Sequence, residues 1–256
     1  MNFYVHDLSP IAFSILGLDI PWYWLSYFLS YFIILYCSLS LIEEKELKVG
    51  KKSFLSYMFF GFFTMLIFSK LFYVFFYHPN YYLQDLSRVF KVWHGGMSFH
   101  GALIGVIVWT YFFSKKVKVS FWSFTDIVAT YAGIGIFLGR LANFFNGELA
   151  GRVSTAPWAM VFPRLYDYNP RHPSQIYQAL LEGLLLFIIM NHYKKDIYQR
   201  GRQSIRFLFF YGALRFLCEF FREPDKQIGL ISHLSMGQIY CLVMMFLSFF
   251  LFVRKA

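Results

Sequence analysis

The chain has 256 residues, of which 58% are apolar, 23% aromatic and only 15% charged, against roughly 25% charged in an ordinary soluble domain. That balance excludes a soluble globular class, and several apolar runs match the roughly 20 residues that cross a bilayer's hydrocarbon core. A net charge of +10 would suit a nucleic-acid binder. The bases, however, sit in short blocks between apolar runs, such as Lys115, Lys116 and Lys118, or Lys194, Lys195, Arg200, Arg202 and Arg206. That is the pattern of cytoplasmic loops, so the lipid bilayer is the expected partner and nucleic acid is not.

From the amino terminus, the first 22 residues hold no Lys or Arg. They lack the basic region of a cleaved signal peptide, so the first hydrophobic segment is expected to stay. Seven spans are predicted, at Tyr23 to Ile42, Phe54 to Phe76, Ser98 to Phe113, Phe121 to Gly139, Gln175 to His192, Phe207 to Phe221 and Gly237 to Val253. The expected fold class is an all-α polytopic membrane protein: seven transmembrane helices, with extracytoplasmic loops forming a small head region. Residues 1–256 read as a single integral membrane domain. With the amino terminus outside, most bases fall in cytoplasmic segments, including Lys45, Lys48, Lys51, Lys52, Arg254 and Lys255. The asymmetry predicts an external amino terminus and a cytoplasmic carboxyl terminus. The outer segment from Arg140 to Arg171 is nonetheless rich in bases, which signals an anionic partner on that face.

Ionisable residues inside spans are Lys70, Asp126, Glu182, Arg215 and Glu219, with His100 near a span end. Charges at membrane depth avoid lipid and mark functional sites by default. Tyr211, Arg215 and Glu219 recur at i, i+4 and i+8, while Gln175, Gln178 and Glu182 recur at i, i+3 and i+7. Each set forms one polar stripe on a helix, either gluing helices together or lining a site. Asp126 either pairs with a base such as Lys70 or binds a backbone amide. Gly101 with Gly105, and Gly135 with Gly139, are small-xxx-small pairs expected to let helices pack closely. Cys37, Cys218 and Cys241 lie in apolar runs without metal or redox spacing and read as core packing.

Two segments are too polar and glycine-rich for ordinary membrane loops: Trp93 to Gly101 (WHGGMSFHG) and Gly139 to Arg152 (GRLANFFNGELAGR). The second sets guanidinium and amide donors among glycines at a span end, where planar donor arrays suit phosphate. Ser98 reads as a helix cap. Gly96-Met97-Ser98-Phe99-His100 resembles a nucleophile elbow, but the last glycine and the strand-to-helix setting are missing. A transporter with interior charges is the alternative class, and an intramembrane phospholipase the alternative enzyme.

The segment Gly139 to Arg152 resembles the signature G-R-x-x-N-F-x-N-G-E-x-x-G-R of the prolipoprotein diacylglyceryl transferase family. Similar blocks follow in order: Gly95 to Gly105 (GGMSFHGALIG), Trp158 to Pro163 (WAMVFP), Arg171 to Gly183 (RHPSQIYQALLEG), Tyr211 to Asp225 (YGALRFLCEFFREPD) and Leu234 to Gln238 (LSMGQ). With Trp22-Tyr23 they extend over most of the chain. Ala102, Ala142, Trp24 and Lys70 depart from the residues usual in the family.

The resemblance implies transfer of the diacylglyceryl group of phosphatidylglycerol to a lipobox cysteine thiol of a prolipoprotein, forming a thioether and releasing glycerol phosphate. It implies a bacterial cytoplasmic (inner) membrane enzyme with its site toward the extracytoplasmic side, taking the lipid and the signal-peptide segment as partners, with no metal or organic cofactor. The residues implied as catalytic are His100, Arg140, Arg215 and Glu219. Those implied in substrate binding are Tyr23, Asn143, Asn146, Glu148, Gly151, Arg152 and Tyr211. His100 is either the proton acceptor for the thiol or a structural hydrogen-bond donor at a helix end. Arg140 and Arg215, with Asn143 as a neutral donor, would stabilise charge growing on phosphate. Glu219 would orient Arg215, and Glu148 would orient Arg140 or Arg152. Gly151 would act through backbone shape, and Tyr23 and Tyr211 would bond the head group or position the peptide.

Overall fold

The computed structural model describes residues 3–77, 79–90, 96–223, 230–231 and 234–255. Trp93, His94 and Gly95 of the glycine-rich segment, Pro224 and Asp225 of the Tyr211 block, and the bases Lys91 and Lys226 lie outside the described residues. The all-helical membrane class fits. Helices stand at each predicted span: α1 (Trp22–Glu44), α2 (Lys51–Phe76), α3 (Phe99–Val117), α4 (Phe121–Phe145), α5 (Ser174–Asp196), α6 (Arg202–Glu219) and α7 (Met236–Lys255). Five of them, α1, α2, α4, α5 and α7, are long and apolar enough to cross a membrane. The seven-span expectation thus stands in part. Lys115 and Lys116 dilute the end of α3, and Arg202, Arg206, Arg215 and Glu219 dilute α6. Short strands join the helices, so the chain is not wholly helical.

The chain forms two compact units, Leu39–Thr125 and the remainder, Met1–Ser38 with Asp126–Ala256. In the Leu39–Thr125 unit, α2 and α3 pack through small residues. A Cβ on Gly101 would lie 2.4 Å from the Phe68 carbonyl oxygen, and one on Gly105 would lie 2.7 Å from Phe68 Cβ. Lipid offers little hydrophobic drive between helices, so such close approach is what holds them, as expected for this glycine pair. The Trp109 indole donates to the Tyr57 carbonyl (2.9 Å), and Tyr57 Oη meets Thr110 Oγ1 (2.8 Å). Ser98 caps α3, its hydroxyl accepting from the Gly101 amide (3.4 Å). Lys70, buried, donates to Tyr82 Oη (3.2 Å).

In the larger unit, β1 (Tyr4–Val5) pairs in parallel with β4 (Met160–Val161), which pairs antiparallel with β5 (Pro170–Arg171). β2 (Ile11–Ile15) and β3 (Leu18–Pro21) form a hairpin that delivers the chain directly into α1. β6 (Leu230–Ile231) pairs with β7 (Leu234–Ser235), leading into α7. The core gathers Ala129, Leu186 and Met190, with Ile136, Phe207, Phe210, Tyr211 and Leu214 against them.

The closest α4–α5 crossing is not where the glycine spacing put it. A Cβ on Gly139 would meet nothing within 4 Å, and one on Gly135 would make ordinary contact with Ile34 at 3.4 Å and Ser30 at 3.9 Å. Gly133 and Gly183 are the tight pair instead: their added Cβ atoms would lie 2.7 Å from the Gly183 oxygen and 2.6 Å from Phe137 Cα. Around Gly183 the helix α5 widens into a π-helical stretch, Ala179–Leu185, a feature common at functional sites.

Asp126 resolves as the backbone-amide alternative. Its carboxylate accepts from Gly201 N (2.5 Å), Ser204 N (2.8 Å) and Ser204 Oγ (2.7 Å), closing the amino-terminal turn of α6. A carboxylate there meets orphan amides and the positive end of the helix dipole. Cys218 and Cys241 are buried and Cys37 is half-buried, all unbridged, in keeping with packing roles.

Candidate active site

The site forms in the larger unit where α4 ends. Arg140 and Asn143, three residues apart, share its last face. The backbone then reverses: the Asn146 amide donates to the Ala142 carbonyl (3.0 Å), Gly147 to Phe144 (2.9 Å) and Glu148 to Asn143 (3.1 Å). Gly147 takes φ +70°, a left-handed conformation open to glycine at little cost. The reversal folds the Glu148 carboxylate back over the helix end. Tyr23 enters from the first turn of α1, placed by Trp22, whose ring stacks on Phe145 at 4.2 Å and whose amide donates to the Pro10 carbonyl (3.0 Å).

One oxygen of Glu148 collects three donors. Tyr23 Oη donates to Oε1, as do Asn143 Nδ2 (3.0 Å) and Asn146 Nδ2 (3.2 Å), and Asn143 Nδ2 also donates to Tyr23 Oη. Glu148 therefore organises a tyrosine and two asparagines, and the expectation that it would orient Arg140 or Arg152 is corrected. Amide nitrogens lie closer to it than any guanidinium because Asn143 stands one helical turn beyond Arg140.

A chain of alternating charges runs from there. Arg140 Nη1 donates to Asn143 Oδ1 (3.4 Å) and Nη2 to Glu182 Oε2 (3.4 Å). Arg215 Nη1 donates to the other oxygen of Glu182 (3.1 Å), and its Nη2 pairs with Glu219. Arg222 Nη1 reaches the same Glu219 oxygen (2.7 Å), while Ser235 Oγ donates to Oε2 (2.8 Å). Glu182 is 0% exposed, and a buried carboxylate persists only when paired and hydrogen-bonded. Three guanidiniums share two carboxylates in this run. Guanidinium forks held in fixed planes suit an oxyanion such as phosphate.

Gly151 acts through shape. An added Cβ would lie 2.3 Å from the Phe221 carbonyl oxygen, so only hydrogen fits where the Gly151 amide donates to the His172 carbonyl (2.8 Å) and Arg152 N to Phe221 (2.9 Å). The Arg152 side chain donates through Nε to the Arg222 carbonyl (2.8 Å), which anchors the segment just past α6 that carries Arg222. Buried Arg171 ties this layer down through Gly151 O (3.2 Å), Glu223 (3.0 Å) and Asp167. The Asn169 amide and the Arg171 guanidinium hold the Asp167 carboxyl down at about 2, below the usual carboxylate range. Burial pushes the His172 imidazole below its ordinary range.

The structure thus brings together Tyr23, Arg140, Asn143, Asn146, Glu148, Gly151, Arg152, Arg215 and Glu219. Tyr211, one turn before Arg215 on α6, stacks on Phe207 (5.7 Å) beside the core. His100 belongs to the other unit, exposed on the first turn of α3 with its ring 6.3 Å from that of Phe72.

With that geometry in place, a family model described as prolipoprotein diacylglyceryl transferase matches residues 10–254. The chain belongs to the prolipoprotein diacylglyceryl transferase family. Proteins named phosphatidylglycerol--prolipoprotein diacylglyceryl transferase are similar to it over nearly their whole length. The one from Rickettsia felis is 41% identical over 253 residues, 97% of each chain. That from Pasteurella multocida is 42% identical over 235 residues, 91% of this chain and 87% of its own. That from Aeromonas salmonicida is 41% identical over 239 residues, 93% and 86%.

Two residues of this diacylglyceryl transferase site escaped the candidate set. Glu182, which joins Arg140 to Arg215, was visible in the polar stripe of α5, but a stripe does not name its partners. Arg222 lies just past the end of α6, inside the Tyr211 block, and its pairing with Glu219 at i, i+3 was the available signal.

Proposed function

We propose that this chain transfers the diacylglyceryl group of phosphatidylglycerol to the cysteine thiol of a prolipoprotein lipobox. Residues 1–256 act as one enzyme domain, spanning a bacterial inner membrane seven times, with the amino terminus and the site on the extracytoplasmic side. The base-poor outer loops, the arginine-rich exception at Arg140 to Arg171 and the family membership support this reading. The observation that carries it is the shared carboxylate of Glu182, which holds the guanidiniums of Arg140 and Arg215 together.

In the proposed reaction the thiol sulfur attacks the glycerol carbon that bears the phosphate. A carbon–sulfur bond forms, the carbon–oxygen bond breaks, and the electron pair leaves on a phosphate oxygen as glycerol phosphate. The thiol proton passes to a general base. Negative charge grows on the departing phosphate, and preorganised cations in a water-poor site stabilise it most strongly. Arg140 and Arg215 supply that stabilisation, Glu182 and Glu219 hold their planes, and Asn143 donates from its amide. Tyr23 and Glu148 fix Asn143 in turn. Because the substrate brings the nucleophile, the enzyme needs no reactive cysteine of its own.

The test is incubation of the purified protein with phosphatidylglycerol vesicles and a lipobox peptide, followed by mass spectrometry of the cysteine. A mass gain of one diacylglyceryl group on sulfur is expected. Lipid hydrolysis without peptide modification would favour a phospholipase, and flux without either would favour a transporter.

A further inference from the structure

One wall of the site carries polar groups that the charged chain does not use. Gln175, Gln178 and Glu182 share a face of α5. Its two ends are fixed: Gln175 Nε2 donates to the Glu148 carbonyl (2.6 Å), and Glu182 meets Arg140 and Arg215. Gln178 therefore stands between the Glu148 cluster and the guanidinium chain. Gln175 and Gln178 are both fully buried. Yet Gln175 Oε1, both amide atoms of Gln178, and Asn146 Oδ1 have no hydrogen-bond partner among the described residues.

Folded proteins rarely leave buried polar atoms unmatched, and such groups call for a ligand or water. Two of the amide orientations are determined chemically. Asn146 Nδ2 and Gln175 Nε2 face Glu148 oxygens, which can only accept, so the amide oxygens are what remains. The unmatched set is then three acceptors and one donor. A phosphate only accepts and cannot satisfy it, whereas a hydroxyl both donates and accepts.

We propose that Asn146, Gln175 and Gln178 form a hydroxyl-recognition subsite that binds the glycerol head of the phospholipid whose phosphate rests on Arg140 and Arg215. It rests on the function proposed above and deepens it, by making this wall the part that reads the head group. Peptide N–H groups would also meet acceptors. The polyol is favoured because Gln178 presents a donor and an acceptor on one amide. Its neighbour Glu182, one turn on, also ties the subsite directly to the phosphate-binding guanidiniums.

The experiment compares phosphatidylglycerol with phosphatidylpropanol of the same acyl chains, which keeps the phosphate and head-group length but removes both hydroxyls. Transfer to one lipobox peptide is measured for wild type, Gln178→Met and Gln178→Asn, and the ratio of kcat/KM for the two lipids is the readout. Wild type should prefer phosphatidylglycerol by roughly 10- to 100-fold, the effect of leaving buried polar groups unpaired. Gln178→Met should bring the ratio close to one through KM. Gln178→Asn, which keeps a donor and an acceptor on one amide, should retain most of the preference. Thermal stabilisation of the wild-type protein by each lipid in detergent gives a second readout that needs neither turnover nor a variant, and phosphatidylglycerol should stabilise more.

A wild-type ratio near one, with equal stabilisation, would mean that the subsite holds only water and would overturn the proposal. So would a Gln178→Met variant that keeps the wild-type ratio, or one that raises only the KM of the peptide. Absence of transfer from either lipid by wild type would sink the function reading itself, which separates the two failures.

Discussion

Substituting Arg215 by lysine separates charge from geometry in the guanidinium chain. Arg215 spends Nη1 on Glu182 at 3.1 Å and Nη2 on Glu219, so its plane is set by two carboxylates on different helices. A lysine puts its charge on one nitrogen, which can keep one carboxylate but cannot offer a planar fork to phosphate. Removing one preorganised transition-state donor costs about 2.7 to 4 kcal/mol at comparable oxyanion sites, or roughly 100- to 1,000-fold in rate. Arg140→Lys should behave alike, since Arg140 bridges Asn143 and Glu182. Arg215→Gln should be at least as slow, and because it leaves Glu182 and Glu219 short of a buried cation it should also destabilise by about 3 to 5 kcal/mol. Initial rates of diacylglyceryl transfer to a lipobox peptide, with thermal unfolding in detergent to confirm folding, supply both numbers. A folded Arg215→Lys or Arg140→Lys enzyme running near the wild-type rate would refute a phosphate clamp built on that residue.

Replacing Asp126 by Ala should cost about 1 to 3 kcal/mol, because the Gly201 and Ser204 amides at the start of α6 lose their acceptor. Thermal unfolding should register the loss. Replacing Cys37, Cys218 and Cys241 together by Ala should leave transfer largely intact, whereas a folded but inactive triple variant would indicate an enzyme-bound thioether. The Asp167 carboxyl is held near 2 by Asn169 and Arg171, below its ordinary value of about 3.9. Its contribution to stability is therefore present above about pH 4 and lost as pH falls toward 2. The acid limb of the unfolding curve should shift upward in Asp167→Asn.

Hydrophobic run length and the Gly139 to Arg152 pattern made the helices and most of the site legible in the sequence. Spacing shows which residues share a face, and Arg215 with Glu219 at i, i+4 is a local pair that needs no tertiary knowledge. It does not show what the face meets. Glu182 reaches Arg140 from 42 residues away, and Asp126 accepts from Gly201, 75 residues on, at the cap of α6; both contacts depend on which helices are neighbours. The Gly133–Gly183 crossing was hidden for the same reason, since one glycine comes from each helix and no xxx spacing links them. Two-residue strands such as β1 and β4 carry too little pattern to be read, and the widening of α5 leaves no compositional mark. Charge alone points Glu148 toward an arginine, whereas the backbone reversal at Gly147 delivers it to Tyr23 and the asparagines.

The central claim is that sulfur takes the diacylglyceryl group while the phosphate departs with the head group. Phosphatidylglycerol labelled in its head-group glycerol, incubated with the enzyme and a lipobox peptide, tests it most directly. One labelled glycerol phosphate should be released for every thioether formed, with no label on the peptide. Label or phosphorus retained on the modified peptide, or glycerol phosphate released without thioether, would contradict it.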